Sequence, residues 1–264
     1  MRADKFFAEK FSSRTKAAEA IEKGLVLVNG KAIRAKDEIK ETDVIEFVQA
    51  ESDFVSNGGY KLDKALKDFS YECADKIFSD IGASTGGFTD CLLQNGARKV
   101  YAVDVGESLL HERLANSLKI VRMENTNARY LEKEDFADAL DGVVTDVSFI
   151  SLRLIFPTIK RILKENGDAF VLIKPQFECE KKNIGKSGIV RSFAHPEIVK
   201  KVLGFAVENG LYPFAITHAP IRKGKNIEYV LHVKPTYVGA KSSAQIVEEI
   251  KNFVRQNTSE KRKG

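Results

Sequence analysis

The chain has 264 residues, of which 43% are hydrophobic and 30% are charged, and its formal net charge is +5. This composition is typical of a folded globular protein and excludes a mainly disordered chain, and no segment approaches the ~18 consecutive apolar residues of a membrane helix. The chain starts without the apolar segment of a secretory signal, and Cys73, Cys91 and Cys179 have no paired spacing, so we expect a cytoplasmic protein with reduced thiols and neither a disulfide framework nor a zinc site.

Residues 1–48 predict a small domain of two helices and a few short strands. The helices are expected at about 3–10 and 14–23, and Asn29-Gly30 predicts a tight hairpin turn. The strands around that turn are expected at residues 25–28, 31–33 and 43–48. So few residues bury only a small core.

Basic side chains are concentrated in this first segment. Residues 1–40 hold ten Lys or Arg against six Asp or Glu, which is +4 of the chain's +5. An asymmetry of this kind favours a polyanionic partner, with a solvated helix face as the alternative. The basic residues around the second helix and the hairpin are Arg14, Lys16, Lys23, Lys31 and Arg34.

The pattern changes after a polar segment at residues 49–58, which we interpret as a linker. From residue 59 to about 235, short apolar strands alternate with helical segments, which predicts an α/β domain with a parallel sheet and helices on both faces. Residues 236–264 are expected to form a C-terminal tail with an amphipathic helix and a basic end. The predicted strands are 76–80, 99–104, 142–146, 169–174, 211–216 and 228–233, and the predicted helices are 87–95, 151–165 and 196–209.

A glycine-rich loop, DIGASTGGFTD (80–90), follows the first strand of this α/β domain. Glycines allow a tight turn and close approach of the backbone to a nucleotide-like ligand. Asp104 ends the next strand, 22 residues after Gly82, where a carboxylate can accept hydrogen bonds from ribose hydroxyls. Asp80 disfavours a phosphate but suits a cation, so we predict a site for S-adenosylmethionine, which carries a sulfonium and an ammonium group. The residues assigned to that site are Asp80, Gly82, Ser84, Gly86, Gly87 and Asp104.

The same loop also matches the GxSxG turn of α/β-hydrolases, with Ser84 as the nucleophile. Asp146 and His218 follow in the chain order of those enzymes. This alternative gives Asp80 and Asp104 no role, and no HGGG-like oxyanion segment precedes Ser84.

Four charged residues stand at or near the ends of predicted elements: Lys61, Asp146, Lys174 and Glu228. Each alone is compatible with a surface ion pair. Beside a methyl donor, the set suits a hydroxyl acceptor such as a ribose 2′-hydroxyl, because that hydroxyl must lose its proton as the methyl group arrives. A lysine can accept the proton only if its pKa is lowered by burial or by a nearby cation.

These segments resemble the TlyA family, proteins with an S4 RNA-binding domain joined to an FtsJ-like ribose 2′-O-methyltransferase domain. The resemblance covers residues 2 to about 235 and is carried by SNGGYKL, DIGASTGGFTD, TDVSFISL, KPQFE, GIVRS and NIEYVLHV, with SSRTKAAEAI and LVLVNGK in the S4 part. One departure is Asn57, where the family pattern SRGG has an arginine. That change affects an RNA or interdomain contact and leaves the chemistry untouched.

The resemblance implies a small S4 (α+β) domain followed by a Rossmann-like class I methyltransferase. It implies a catalytic tetrad in which Lys174 accepts the proton with help from Asp146, while Lys61 and Glu228 orient the ribose. Transfer then depends mainly on positioning and needs no metal. The resemblance also implies that Asn127 contacts the adenine of the cofactor.

The implied substrate is a cytidine ribose in ribosomal RNA. Arg14, Lys16, Lys23 and Lys31 would hold the shape and phosphates of folded RNA or of a ribosomal subunit. The short lead before the S4 helices is similar to the branch of the family that modifies only the large subunit. Because the family is often labelled haemolysin, a membrane-active protein is a further alternative, although the chain has no spanning segment and no long basic amphipathic helix before its tail.

Overall fold

The computed structural model describes residues 1–11, 13–22, 24–40, 42–48 and 54–260, without the side chains of residues 258–260. The chain divides into two compact units, residues 1–53 and 54–264. The second unit starts earlier than the predicted boundary, because Phe54 packs edge-on against Tyr60 and the Val55 N–H donates to the Asp90 carboxylate at 2.8 Å. The expected linker at 49–58 is therefore too long at its C-terminal end, and its residues 49–53 lie outside the described residues.

The first unit combines two helices with a three-stranded antiparallel sheet. Asn29 and Gly30 have φ values of +54° and +73°, the left-handed pair that a two-residue hairpin of this kind requires. Its core is built from Phe7, Ile21 and Val26, which are buried. The elements are α1 (Ala3–Phe6), α2 (Arg14–Glu22), β1 (Val26–Val28), β2 (Lys31–Ala32) and β3 (Ile45–Phe47).

The second unit is built on a seven-stranded sheet with the order β6-β5-β4-β7-β8-β10-β9. Strands β4 to β8 are parallel, whereas β10 is antiparallel to both β8 and β9. The strands are β4 (Ile77–Ile81), β5 (Lys99–Val103), β6 (Ile120–Met123), β7 (Leu140–Thr145), β8 (Leu163–Ile173), β9 (Tyr212–His218) and β10 (Tyr229–Lys234).

The predicted α/β class is confirmed, but the sheet is mixed and not fully parallel. Only ten residues, 219–228, join β9 to β10, and a parallel crossover needs about a dozen or more. A short connection of this length makes the last two strands a hairpin. Strand β6 was not predicted, because it lies at the sheet edge with partly exposed side chains.

Helices cover both faces of the sheet, as expected for alternating buried strand residues. Phe78 and Phe170 point to the face covered by α3 and α4, whereas Val171 points to the opposite face. The predicted helix at 151–165 is shorter, because Leu163 already pairs with Leu140 in the sheet. The helices are α3 (Asn57–Asp68), α4 (Gly87–Gln94), α5 (Glu112–Ala115), α6 (Phe156–Ile162), α7 (Pro175–Glu178), α8 (His195–Glu208) and α9 (Ser243–Glu260).

The C-terminal helix α9 is part of this second unit. Ile246 and Ile250 are buried in the same core as Val199 and Leu203 of α8. The basic end at 261–264 lies outside the described residues. No helix in the described part of the chain is long and apolar enough to cross a membrane.

Candidate active site

The sheet topology brings the four charged residues Lys61, Asp146, Lys174 and Glu228 to the end of the sheet where its parallel strands finish. Asp146 directly follows β7, Lys174 directly follows β8, and Glu228 directly precedes β10. These strands are neighbours, and because β10 runs antiparallel to β8, its start lies beside the end of β8. Lys61 approaches the same end from the N-terminal half of α3. We call these four residues the tetrad.

The tetrad forms a chain of alternating charge. Lys174 Nζ lies 2.5 Å from Asp146 Oδ1, and Lys61 Nζ lies 3.4 Å from Asp146 Oδ2 and 2.7 Å from Glu228 Oε2. The four side chains are only 11–22% exposed. Partial burial strengthens these ion pairs relative to pairs in open solvent.

The two lysines of the tetrad have different surroundings. Burial by itself would lower the pKa of Lys61, but the carboxylates of Asp146 and Glu228 outweigh that effect and raise the pKa above its ordinary value. Lys61 is therefore held as an ammonium ion at neutral pH. Among the residues that the structure describes, Lys174 pairs with one carboxylate, that of Asp146, and it also donates to Ser148 Oγ at 2.7 Å. Sequence reasoning missed Ser148, and its position two residues after Asp146 was the available signal.

A cavity of about 610 Å³ opens at the carboxyl ends of β4, β5 and β7, and we call it the strand-end cavity. Cavities of this size are typical of small-molecule sites. Asp146 belongs both to this cavity and to the tetrad, so the two sites adjoin. Four of the predicted cofactor residues also line the cavity, namely Gly82, Ser84, Asp104 and Asn127.

The Asp104 carboxylate lies in the wall of the strand-end cavity with unused acceptor sites. Its Oδ2 accepts from the Ser84 N–H at 2.8 Å and its Oδ1 from the Gly106 N–H at 2.9 Å. A carboxylate has about four lone-pair sites, so each oxygen can accept one further hydrogen bond. The Asn127 Oδ1 accepts from the Arg129 N–H at 3.2 Å and caps a short helical turn.

Three of the predicted cofactor residues are not in the described wall of the strand-end cavity: Asp80, Gly86 and Gly87. Gly86 has a φ of +89° and a Cβ there would lie 2.4 Å from Leu114 Cδ1. At Gly87 a Cβ would lie 2.2 Å from Ser56 Oγ, so this glycine allows α4 to approach the start of α3. Both glycines therefore allow close packing, and their part in a cofactor site stays a prediction.

Asp80 is fully buried, so its carboxylate does not reach the strand-end cavity surface, and its contact with a ligand cation stays a prediction. Its Oδ2 accepts from the N–H and the Oγ1 of Thr89, at 2.9 and 2.7 Å. Its Oδ1 has no hydrogen-bond partner among the described residues. Burial raises the pKa of Asp80 to about 7.

This raised pKa predicts a pH-dependent stability. The folded chain binds the Asp80 proton more tightly than the unfolded chain. Protonated Asp80 therefore adds to the free energy of unfolding below pH 3.8, and this stabilisation is lost as the pH rises from 3.8 to about 7. We expect the free energy of unfolding to fall by about 2–3 kcal/mol from this group between pH 5 and pH 8. Asp80→Asn should remove that part of the pH dependence, measured by urea unfolding of both proteins. Equal pH dependence in the two proteins would contradict the expectation.

The hydrolase alternative is not supported by the geometry. Strand β9, which His218 ends, is four strands away from β4 in the sheet, about 19 Å at the usual spacing. His218 stacks on Phe253 and its Nδ1 lies 3.0 Å from the Ala219 carbonyl oxygen. Ser84 and His218 therefore cannot form a nucleophile–base pair.

In the first unit, the predicted RNA-binding residues Arg14, Lys16 and Lys31 are exposed, whereas Lys23 lies outside the described residues. Arg14 donates to Asp4 at 2.7 Å. Arg2, which sequence reasoning did not select, also pairs with Asp4 at 3.2 Å. The hydrogen bond from Arg14, together with Arg2, holds the pKa of Asp4 below its ordinary value.

A metal site is not evident in the part of the chain that the structure describes, where no three His, Cys, Asp or Glu side chains are grouped to hold an ion.

Comparison with known proteins gives the same two parts. The FtsJ-like methyltransferase family matches residues 54–234, and the S4 domain family matches residues 1–45. A Bacillus subtilis protein provisionally named rRNA methyltransferase YqxC is 41% identical over 248 residues, which cover 92% of this chain and 88% of that protein.

A second relative, the 16S/23S rRNA (cytidine-2′-O)-methyltransferase TlyA of Mycobacterium tuberculosis, is 36% identical over 229 residues and 84% of each chain. A solved structure from Streptococcus thermophilus, provisionally named a hemolysin, covers 98% of both chains with 37% identity and a TM-score of 0.69. The chain therefore belongs to the TlyA family, in which an S4 domain precedes an FtsJ-like methyltransferase domain.

Proposed function

We propose that this chain is an S-adenosylmethionine-dependent methyltransferase that modifies a ribose 2′-hydroxyl of a cytidine in ribosomal RNA. The observation that carries the proposal is the shared position of Asp146, which borders the strand-end cavity and pairs with both lysines of the tetrad. A cofactor in that cavity would lie beside the group that activates the acceptor. The names of the relatives support the same substrate class.

The donor set of the strand-end cavity fits S-adenosylmethionine. Asp104 would accept hydrogen bonds from the ribose hydroxyls, and Asn127 would contact the adenine. Apolar side chains such as Val105 and Ile150 also line the cavity and provide a surface for the ring. When bound, the cofactor supplies an electrophilic methyl group on a sulfonium.

The tetrad would prepare the acceptor hydroxyl. In its deprotonated form, Lys174 Nζ accepts the 2′-hydroxyl proton as the oxygen–carbon bond forms. Asp146 holds this lysine in place and stabilises its positive charge afterwards. Lys61, held as an ammonium ion by Glu228 and Asp146, donates hydrogen bonds that orient the ribose. Catalysis then rests mainly on positioning.

The first unit would hold the RNA. Exposed Arg14, Lys16 and Lys31 offer cations to phosphates, a form of binding that depends on shape and charge more than on base sequence. The resemblance to the family favours the large ribosomal subunit as substrate, and a ribosomal substrate implies that the protein works in the cytoplasm.

Methyl transfer from labelled S-adenosylmethionine to unmodified large subunits, small subunits and free ribosomal RNA, measured side by side, tests this function. We expect label in ribosomal RNA, with large subunits accepting the most, and nuclease digestion should recover it as 2′-O-methylcytidine. Label on a base would contradict the proposed acceptor. Label in none of the three, with intact cofactor binding, would assign the enzyme a different substrate.

Replacing Arg14 and Lys16 by alanine is expected to weaken RNA binding and to reduce its salt dependence, because each lost phosphate contact lowers the slope by about one. Since Arg14 also pairs with Asp4, Lys16→Ala with Lys31→Ala is the companion variant that leaves that pair intact. Binding of ribosomal RNA at several salt concentrations measures both. An unchanged slope in both variants would place the RNA contacts elsewhere.

A further inference from the structure

A second cavity, of about 390 Å³, also borders the tetrad through other members of it, and we call it the side cavity. It is bordered by Lys61 and Glu228, whereas the strand-end cavity is bordered by Asp146. The tetrad therefore borders two cavities. Since the methyl donor occupies one of them in the proposed function, the side cavity is open to the acceptor.

The far wall of the side cavity is strongly basic. It is formed by the β9–β10 connection, whose segment IRKGKN (221–226) carries three cations, and residues 219–227 include no acid. Arg222 and Lys225 both line the cavity and are exposed. The Lys225 N–H donates to the Arg222 carbonyl at 3.2 Å, so a turn holds the two residues close together.

Two asparagines hold this basic turn in place. Arg222 donates from Nη2 to Asn57 Oδ1, at the start of α3. Asn226 accepts from the Val190 N–H at 2.8 Å and donates to the Gly188 carbonyl at 3.0 Å. Groups fixed before binding lose less conformational freedom when a ligand arrives.

We propose that Arg222 and Lys225 bind a phosphate group next to the target ribose, which makes the side cavity the subsite of the acceptor nucleotide. In an in-line transfer the methyl donor and the acceptor oxygen lie on opposite sides of the methyl group. With the donor in the strand-end cavity, a ribose that contacts the tetrad from the side cavity would bring its phosphate to the wall formed by Arg222 and Lys225. The planar guanidinium matches two phosphate oxygens, and the Lys225 ammonium adds a point charge. Asn57 acts as a positioning residue for Arg222. This inference rests on the proposed function.

The double variant Arg222→Ala with Lys225→Ala tests the subsite in the full-length chain. The probe is the unmodified ribosomal RNA or subunit that the wild type methylates. We expect KM for RNA to rise by about tenfold or more, because hydrogen bonds to charged groups are lost. Maximal rate should stay within about twofold, the affinity for S-adenosylmethionine should not change, and the salt slope of KM should fall by about one.

The matched control is Lys119→Ala with Lys133→Ala, two exposed lysines outside the side cavity, which should leave KM within about twofold. Asn57→Ala should raise KM by less than the double variant, and Arg222→Lys should recover part of the loss. KM and salt slope equal to those of the control would overturn the subsite while the proposed function stands. A wild type that methylates no RNA would overturn the proposed function and the subsite with it.

Discussion

Lys174→Ala is expected to slow methyl transfer by about 10²–10⁴-fold, the usual contribution of a general base. The variant removes the group assigned to accept the 2′-hydroxyl proton and leaves Asp146 with only Lys61 among its tetrad partners, at 3.4 Å. Lys174 is not in the described wall of the strand-end cavity, so cofactor affinity should stay near that of the wild type. Single-turnover transfer to RNA and calorimetric titration with S-adenosylmethionine measure the two effects separately.

Two companion variants distinguish a catalytic role of Lys174 from a structural one. Lys174→Arg keeps the positive charge near Asp146 but cannot deprotonate at working pH, so it should be as slow as the alanine variant. Lys164→Ala, on the same strand but paired with Asp141 at 2.6 Å, should keep the wild-type rate. Recovery of activity by arginine, or loss of cofactor binding together with activity, would assign Lys174 a structural role.

Asp104→Ala is expected to weaken binding of S-adenosylmethionine by about 100-fold or more. The carboxylate would lose two hydrogen bonds from ribose hydroxyls, and hydrogen bonds to a charged group contribute about 1.5–3 kcal/mol each. The substitution also removes the acceptor of the Ser84 and Gly106 N–H groups, which holds the glycine-rich loop to the end of β5. Calorimetric titration of the purified full-length protein measures the affinity.

The controls for this prediction separate charge from size and from folding. Asp104→Asn keeps an acceptor oxygen without the charge and should lose less affinity than the alanine variant. Glu134→Ala, an exposed acid outside the strand-end cavity, should bind like the wild type. If Asp104→Ala binds within a few-fold of the wild type while remaining folded, the cofactor is held by other groups.

The fold class was predictable because burial leaves a local pattern. Continuous apolar runs such as 169–173 are typical of strands covered on both faces, and their alternation with helical segments predicts the α/β layers. The antiparallel pairing of β9 and β10 follows from the short connection at 219–228. The sequence prediction did not take the length of this connection into account. Strand β6 left no clear pattern, since an edge strand is partly exposed and needs no continuous apolar run.

The candidate site was predictable only in part. The positions of Asp146 and Lys174 follow from the rule that parallel strands end at one edge of a sheet. The position of Glu228 depends on the reversal of β10, and that of Lys61 depends on how α3 packs over the sheet. Their roles came from resemblance to a family, because local sequence does not state which distant charges meet.

The sequence by itself determined the division into a small basic N-terminal part and a larger second part. It also determined the α/β class of the second part, its glycine-rich loop and the charged residues at its strand ends. Tertiary structure decided which of those residues border the strand-end cavity. Gly82 lines the strand-end cavity while Gly87 serves close packing, and Asp80 is buried while Asp104 borders the cavity. The local sequence shows that a position holds a glycine or a charged residue. Which atoms that residue contacts is determined by residues that are distant in the sequence and close in the fold.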